Sequence, residues 1–176
     1  MTNQPHVDMK PLAPGAILAL LSILLGFGLG GAFGANEEGI KGKLESSADA
    51  VLESVYGGDS ERRDAVVSKS WSYLKRAHMH GGAIGTAALA SIILLGLMGG
   101  RGLLERASAV AFGAGAILYS SFWLAAGFSA PGLGSTGAAK ESLEFMAVPG
   151  AGLCLLGLLG TLTATVKHLV LDRGDD

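Results

Sequence analysis

GGAIGTAALASIILLGLMGG, residues 81–100, is a run of twenty residues without aspartate, glutamate, lysine or arginine. As a helix rising about 1.5 Å per residue, it would cover roughly 30 Å, the thickness of the hydrocarbon core of a bilayer. Three further windows also lack charged residues, at 12–35, 107–139 and 145–166. The sequence therefore predicts an all-α integral membrane protein with four transmembrane helices.

The composition of the chain agrees with this class. Of the 176 residues, 49% are hydrophobic and 16% are charged. The net charge of −2 provides no basic surface for nucleic acid, and no phosphate-binding loop is present. The single cysteine, Cys154, lies inside the fourth window without a disulfide partner and is read as a packing residue. We expect the partners to be the lipid bilayer and other membrane helices, in a homo- or hetero-oligomer.

A polar region, residues 36–76, separates the first two windows. Its first half carries apolar residues at helical spacing, which predicts an amphipathic helix: Ile40, Leu44, Ala48, Val51, Leu52 and Val55. Gly57 and Gly58 end that helix, and Asp59 or Ser60 caps a second one. No breaker precedes Gly81, so the second helix is expected to continue into the second span. We expect this hairpin to cover the outer ends of the bundle and its histidines; the alternative is that it lies on the membrane surface.

The predicted organisation is one membrane domain over residues 1–176. It is a four-helix bundle with an extramembrane helical hairpin between the first and second spans. The predicted elements are spans at about 12–34, 79–99, 106–128 and 145–168, and extramembrane helices at about 38–56 and 60–78.

Glycines at four-residue spacing mark the first window. Gly26, Gly30 and Gly34 would form a groove into which another helix can pack closely. The alternative is that this window is a cleaved signal peptide, with Ala32 and Gly34 as the small residues before the cut. Further glycines in or beside the later windows offer similar surfaces: Gly81, Gly85, Gly96, Gly100 and Gly113.

The distribution of basic residues predicts the topology. The short second connection carries Arg101 and Arg106, and short positive loops stay in the cytoplasm. Lys10, Lys167 and Arg173 agree, so both termini are placed in the cytoplasm and residues 36–76 outside, in a bacterial inner membrane. The seven basic residues of the long polar region point the other way, and the inverted topology remains an alternative.

Polar and aromatic side chains collect at the predicted outer ends of the second, third and fourth spans. The candidate cofactor-binding residues are Arg76, His78, His80, Tyr119, Trp123 and Lys140, and the candidate metal ligands are His78, His80 and Glu144. Imidazole binds haem iron and transition metals, and a carboxylate can complete or orient such a set. A basic side chain here could pair with a haem propionate, a lipid phosphate or a quinone carbonyl.

Ordinary interface chemistry competes with a cofactor site. Histidines hydrogen-bond at the headgroup level, arginine and lysine extend to the surface, and tryptophan and tyrosine form an interfacial belt. Residues two apart on a helix point about 200° apart, so His78 and His80 can share one ion only if the backbone unwinds near Gly81 and Gly82. No catalytic residues are assigned, because no nucleophile elbow or zinc-protease motif occurs.

Two segments carry a resemblance. RAHMHGG, residues 76–82, and YSSFWLAAGFSAPGLGSTGAAKES, residues 119–142, resemble segments of small uncharacterised bacterial four-helix membrane proteins, over roughly residues 71–166. More distantly, a His-x-His pair opening a membrane helix looks like segments of haem- and copper-containing respiratory membrane proteins. The chain differs from those enzymes in lacking their many-helix core and further histidine ligands.

Two functions follow as hypotheses. The first is a non-enzymatic accessory or assembly subunit of a membrane complex, packing through glycine faces. The second is a membrane redox protein that binds haem b or a transition metal, or interacts with quinone, through the outer ends of the second to fourth spans.

Overall fold

The computed structural model describes residues 8–171 of the chain, and every regular element among them is helical. A short 3-10 turn, Lys10–Leu12, leads into α1, Ala13–Asp49, and α2 is Leu52–Tyr56. The remaining helices are α3, Ser60–Leu97; α4, Leu103–Leu133; α5, Thr136–Ser142; and α6, Glu144–Val166, with a final π-helical turn at Lys167–Leu171. Arg173, used above for the topology, lies outside the described residues.

Four of these helices, α1, α3, α4 and α6, are long and apolar enough to cross a membrane. The predictions of an all-α chain and of four such helices are therefore confirmed. The helix α4 packs against each of the other three, while α6 touches α3 only sparsely.

The first apolar window and the polar region after it belong to the same helix. Only Asn36, with φ −152° and ψ 46°, interrupts the helical backbone of α1, so the predicted first span and most of the first extramembrane helix form one kinked element of 37 residues. The predicted helix at 38–56 is divided near Val51, and α2 then ends at Gly57 and Gly58. Both glycines have positive φ, a conformation that costs glycine little.

The third helix is continuous across the predicted membrane boundary. Asp59 caps α3 by accepting a hydrogen bond from the backbone N–H of Arg62 at 2.9 Å. The helix then runs for 38 residues through Gly81 and Gly82 without non-helical backbone. The unwinding that would let His78 and His80 point in the same direction is therefore absent.

Glycines allow α1 and α3 to approach closely. A Cβ at Gly26 would meet the backbone of Gly81 and Gly82, and one at Gly30 would meet the ring of His78. Gly34, the third member of the predicted groove, has nothing within 4 Å. Ser22 adds a hydrogen bond from its hydroxyl to the Gly81 carbonyl at 3.2 Å.

The first arm of the hairpin, the end of α1, packs on the second arm, the first half of α3. Leu44 and Ala48 are buried against Val67 and Leu74, and Trp71 borders the same cluster. These contacts lie one to three turns before His78. Coverage of the histidines by the hairpin stays a prediction.

The hairpin is also tied to the end of α4. The Tyr56 hydroxyl donates to the Pro131 carbonyl at 2.7 Å, and Arg62 donates to the Gly134 carbonyl at 3.2 Å. Burial raises the pKa of Tyr56 above its usual value, so the phenol remains protonated as a donor at neutral pH.

The other end of the molecule brings together the start of α1, the α3–α4 connection and the last turns of α6. The Met9 side chain approaches Gly96, and Arg101 lies 4.0 Å from Asp8. Gly160 of α6 approaches Leu104 and Ser108 at the start of α4. The basic residues Lys10, Arg101 and Arg106 therefore share one end of the fold, as the predicted topology requires.

Candidate functional site

His78 faces α1. Its Nδ1 lies 2.7 Å from the carbonyl oxygen of Gly26, and its ring packs edge-on to Phe33 at 6.1 Å between centroids. Because a carbonyl oxygen only accepts, Nδ1 donates and carries the proton. The absence of a side chain at Gly30 makes room for this ring. These contacts explain His78 as a residue of the α1–α3 contact.

His80 faces α4 instead. Its ring stacks on Tyr119, with centroids 5.4 Å apart and planes 19° apart, and meets Trp123 edge-on at 6.2 Å. The two histidines therefore contact different helices, as their spacing on an unbroken helix dictates.

Arg76 lies one turn before His80, on the same side of α3. Its guanidinium carbon is 4.8 Å from the centroid of Trp123 and 5.5 Å from that of Tyr73. Placing a planar guanidinium over aromatic faces is favourable and fixes its position. Arg76 has no ion-pair partner among residues 8–171.

Trp123 is the centre of this arrangement. Its side chain is only 9% exposed and contacts Tyr73, Tyr119 and Phe122 as well as Arg76 and His80 of α3. Its indole Nε1 is buried without a hydrogen-bond partner in the described part of the chain. An unpaired buried donor costs about 1–3 kcal/mol, so this group calls for an explanation.

Lys140 and Glu144 lie beside this arrangement. Both are exposed, and they line a surface hollow of about 380 Å³ together with Phe122, Glu141 and Ala147. Phe122 joins the two regions, because its ring also packs against Trp123 with centroids 5.0 Å apart.

The structure thus brings together part of the predicted site. We call Arg76, His80, Tyr119 and Trp123 the donor cluster. Lys140 and Glu144 occupy the adjacent hollow, and His78 belongs to the α1 side of α3. Sequence reasoning missed Tyr73 and Phe122, although Tyr73 lies three residues before Arg76 and the i, i+3 spacing places both on one helix face.

The predicted metal set is not assembled. No group of three or more His, Cys, Asp or Glu side chains within residues 8–171 is placed to hold a metal ion. His78 and His80 lie on different sides of α3, because the helix continues through Gly81 and Gly82. Glu144 lies on another helix, α6. Binding of haem b or another cofactor through His78 or His80 stays a prediction.

Comparison of the chain with protein-family models, with curated proteins and with solved structures gives no match.

Proposed function

We propose that the protein is an integral membrane protein whose four long helices cross the bilayer, and that it is a non-catalytic accessory or assembly subunit of a membrane complex. The exposed faces of α1 and α6 support the first part. Leu24 and Phe27 on α1 and Phe145 and Leu156 on α6 are 65% to 73% exposed. Such continuous apolar surface is unfavourable in water and suits lipid.

The observation that carries the accessory role is a small-residue surface on α1 that no other part of residues 8–171 contacts. Gly28, Gly31 and Gly34 have nothing within 4 Å. By contrast, α3 fills the space beside Gly26 and Gly30. Small residues on membrane helices are typical of close helix–helix packing, so the unused face suits a helix from a partner subunit.

A bulky residue on this surface tests the accessory role. Gly31→Leu should reduce recovery of the intact complex after mild detergent extraction by at least about fivefold, since a leucine holds the helices apart. Gly152→Leu on α6 is the matched control, because Gly152 also has nothing within 4 Å. Size-exclusion chromatography with mass analysis measures the complex. Equal recovery of both variants would contradict a role for the α1 surface.

We propose further that residues 36–76 lie outside a bacterial inner membrane and that both ends of the chain lie in the cytoplasm. The clustering of Lys10, Arg101 and Arg106 at one end of the fold supports this orientation through the positive-inside rule.

Cysteine labelling tests the orientation. In a Cys154→Ala background, Ser68→Cys should react with a membrane-impermeant maleimide in intact spheroplasts, because Ser68 is exposed on the polar half of α3. Leu103→Cys, exposed at the opposite end, should react only after the membrane is permeabilised. The reverse pattern would establish the inverted topology.

A further inference from the structure

The donor cluster combines hydrogen-bond donors that have no acceptor within residues 8–171. The Trp123 Nε1–H is buried without a partner, and the Arg76 guanidinium pairs with no carboxylate among the described residues. His80 and Tyr119 stack beside them and add a ring N–H and a hydroxyl. A group that satisfies this cluster must supply several acceptor oxygens.

Other basic residues near aromatic rings have partners that Arg76 lacks. Arg62, which lies over the Tyr56 ring, also has no carboxylate partner among residues 8–171, but it is exposed and donates to the Gly134 carbonyl at 3.2 Å. Lys41 lies over the Trp71 ring and pairs with Glu37 at 2.6 Å, and Arg63 pairs with Asp49 at 2.6 Å. The hollow of about 500 Å³ between them therefore has its charges compensated by its own carboxylates. Arg76 differs because its side chain is partly buried and has neither a carboxylate partner nor a hydrogen bond among residues 8–171.

The position of the cluster matches the level of lipid headgroups. Arg76 and His80 directly precede the uncharged stretch at 81–100. The helix α6 contacts α4 extensively but α3 only sparsely. The aromatic residues of α4 lie between the two helices, because Tyr73 of α3 belongs to their cluster and Met146 and Ala147 of α6 pack against it.

We propose that the donor cluster binds a phosphate group, with Arg76 as the charged anchor and Trp123, Tyr119 and His80 as neutral donors. Guanidinium is suited to phosphate because its planar fork can donate two parallel hydrogen bonds. The phosphate can belong to the headgroup of an anionic phospholipid or be free inorganic phosphate. Glu141 and Glu144 in the neighbouring hollow disfavour an anion there, which confines the site to the α3–α4 side.

The lipid arm of this proposal rests on the proposed membrane location, and tryptophan quenching tests the two separately. In a Trp71→Phe background, Trp123 is the only tryptophan. The protein is reconstituted in bilayers containing brominated phosphatidylglycerol or, at the same mole fraction, brominated phosphatidylcholine. We expect phosphatidylglycerol to be favoured near Trp123 by about fivefold.

Two variants isolate the site. Arg76→Gln should abolish the preference, while Lys75→Gln should retain it, because Lys75 is an exposed neighbour with the same charge and outside the cluster. Circular dichroism checks that both variants fold. Equal loss in both variants would overturn the site in favour of diffuse attraction to the membrane surface.

An experiment in detergent without lipid distinguishes free inorganic phosphate from a phospholipid headgroup as the ligand. Inorganic phosphate is added against chloride at equal ionic strength. A change in Trp123 fluorescence that requires Arg76, without any preference between the two lipids, identifies free phosphate as the ligand. No response to phosphate and equal quenching by both lipids would overturn the proposal, whereas no quenching by either lipid would contradict the membrane location itself.

Discussion

Gly81→Ala should destabilise the protein by about 2–4 kcal/mol. The new Cβ would lie within 3.0 Å of the Gly26 backbone and the Ser22 carbonyl, so the two helices must separate. Overpacking costs about 1–3 kcal/mol, and backbone atoms cannot rotate away as a flexible side chain can. Separation also weakens the Ser22–Gly81 and His78–Gly26 hydrogen bonds, each worth about 0.6 kcal/mol within a membrane.

The neighbouring glycine provides the control. Gly82→Ala should change stability by less than about 0.5 kcal/mol, because a Cβ there has nothing within 4 Å. Both variants carry the same substitution on the same turn of α3, so helix propensity and lipid solvation are closely matched. Equilibrium unfolding by sodium dodecyl sulfate in mixed micelles, followed by tryptophan fluorescence, measures the difference. Equal destabilisation by the two alanines would contradict the close contact of α1 with α3.

The comparison of Gly81→Ala with Gly82→Ala also distinguishes helix packing in a membrane from the burial of apolar surface in water. Lipid tails are as apolar as leucine side chains, so helices in a bilayer gain little by covering apolar surface. The α1–α3 contact must then depend on close van der Waals approach and on hydrogen bonds to backbone carbonyls. Gly26, Gly81 and Ser22 provide both, which is why a single methyl group is expected to matter so much.

Charge distribution and periodicity were sufficient to predict the number of long helices. Windows without charged residues correspond to α1, α3, α4 and α6, and the missing breaker before Gly81 predicted the continuity of α3. Gly26 and Gly30 were assigned to a packing groove and do pack against α3. These features are local, so the residue types and their spacing determine them.

The partner of each helix face could not be predicted in the same way. The spacing of His78 and His80 shows that they point apart, but not that one meets the Gly26 carbonyl and the other the Tyr119 ring. Gly34 follows the same repeat as Gly30 yet has nothing within 4 Å, while the adjacent Phe33 packs against Trp71 of α3. Such pairings depend on how distant helices cross, which spacing along one helix does not specify.

Leu44→Ala should release the first arm of the hairpin, residues 38–56, from α3 while leaving the apolar helices intact. Leu44 is 1% exposed and packs with Ala48, Tyr56, Val67 and Leu74. In the proposed topology this cluster lies outside the membrane. Truncating Leu44 therefore loses hydrophobic burial and also leaves a cavity, which together lower the free energy of unfolding by about 2–5 kcal/mol. Amide hydrogen exchange over residues 44–56 should accelerate at least about 30-fold, because the free energy of local opening falls by the same amount.

Glu45→Ala distinguishes this packing from attachment to the membrane surface. Glu45 is the exposed neighbour of Leu44, and its removal should leave exchange nearly unchanged. If the segment instead lay on lipid, protection at 40–55 would depend on the choice of detergent or bilayer, and Leu44→Ala would weaken it only in proportion to lost lipid contact. Protection that is equal in micelles and bilayers, and that falls with Leu44→Ala alone, would establish that residues 38–56 pack on α3. A wild-type protein unprotected over residues 40–55 in both environments would contradict the packed hairpin.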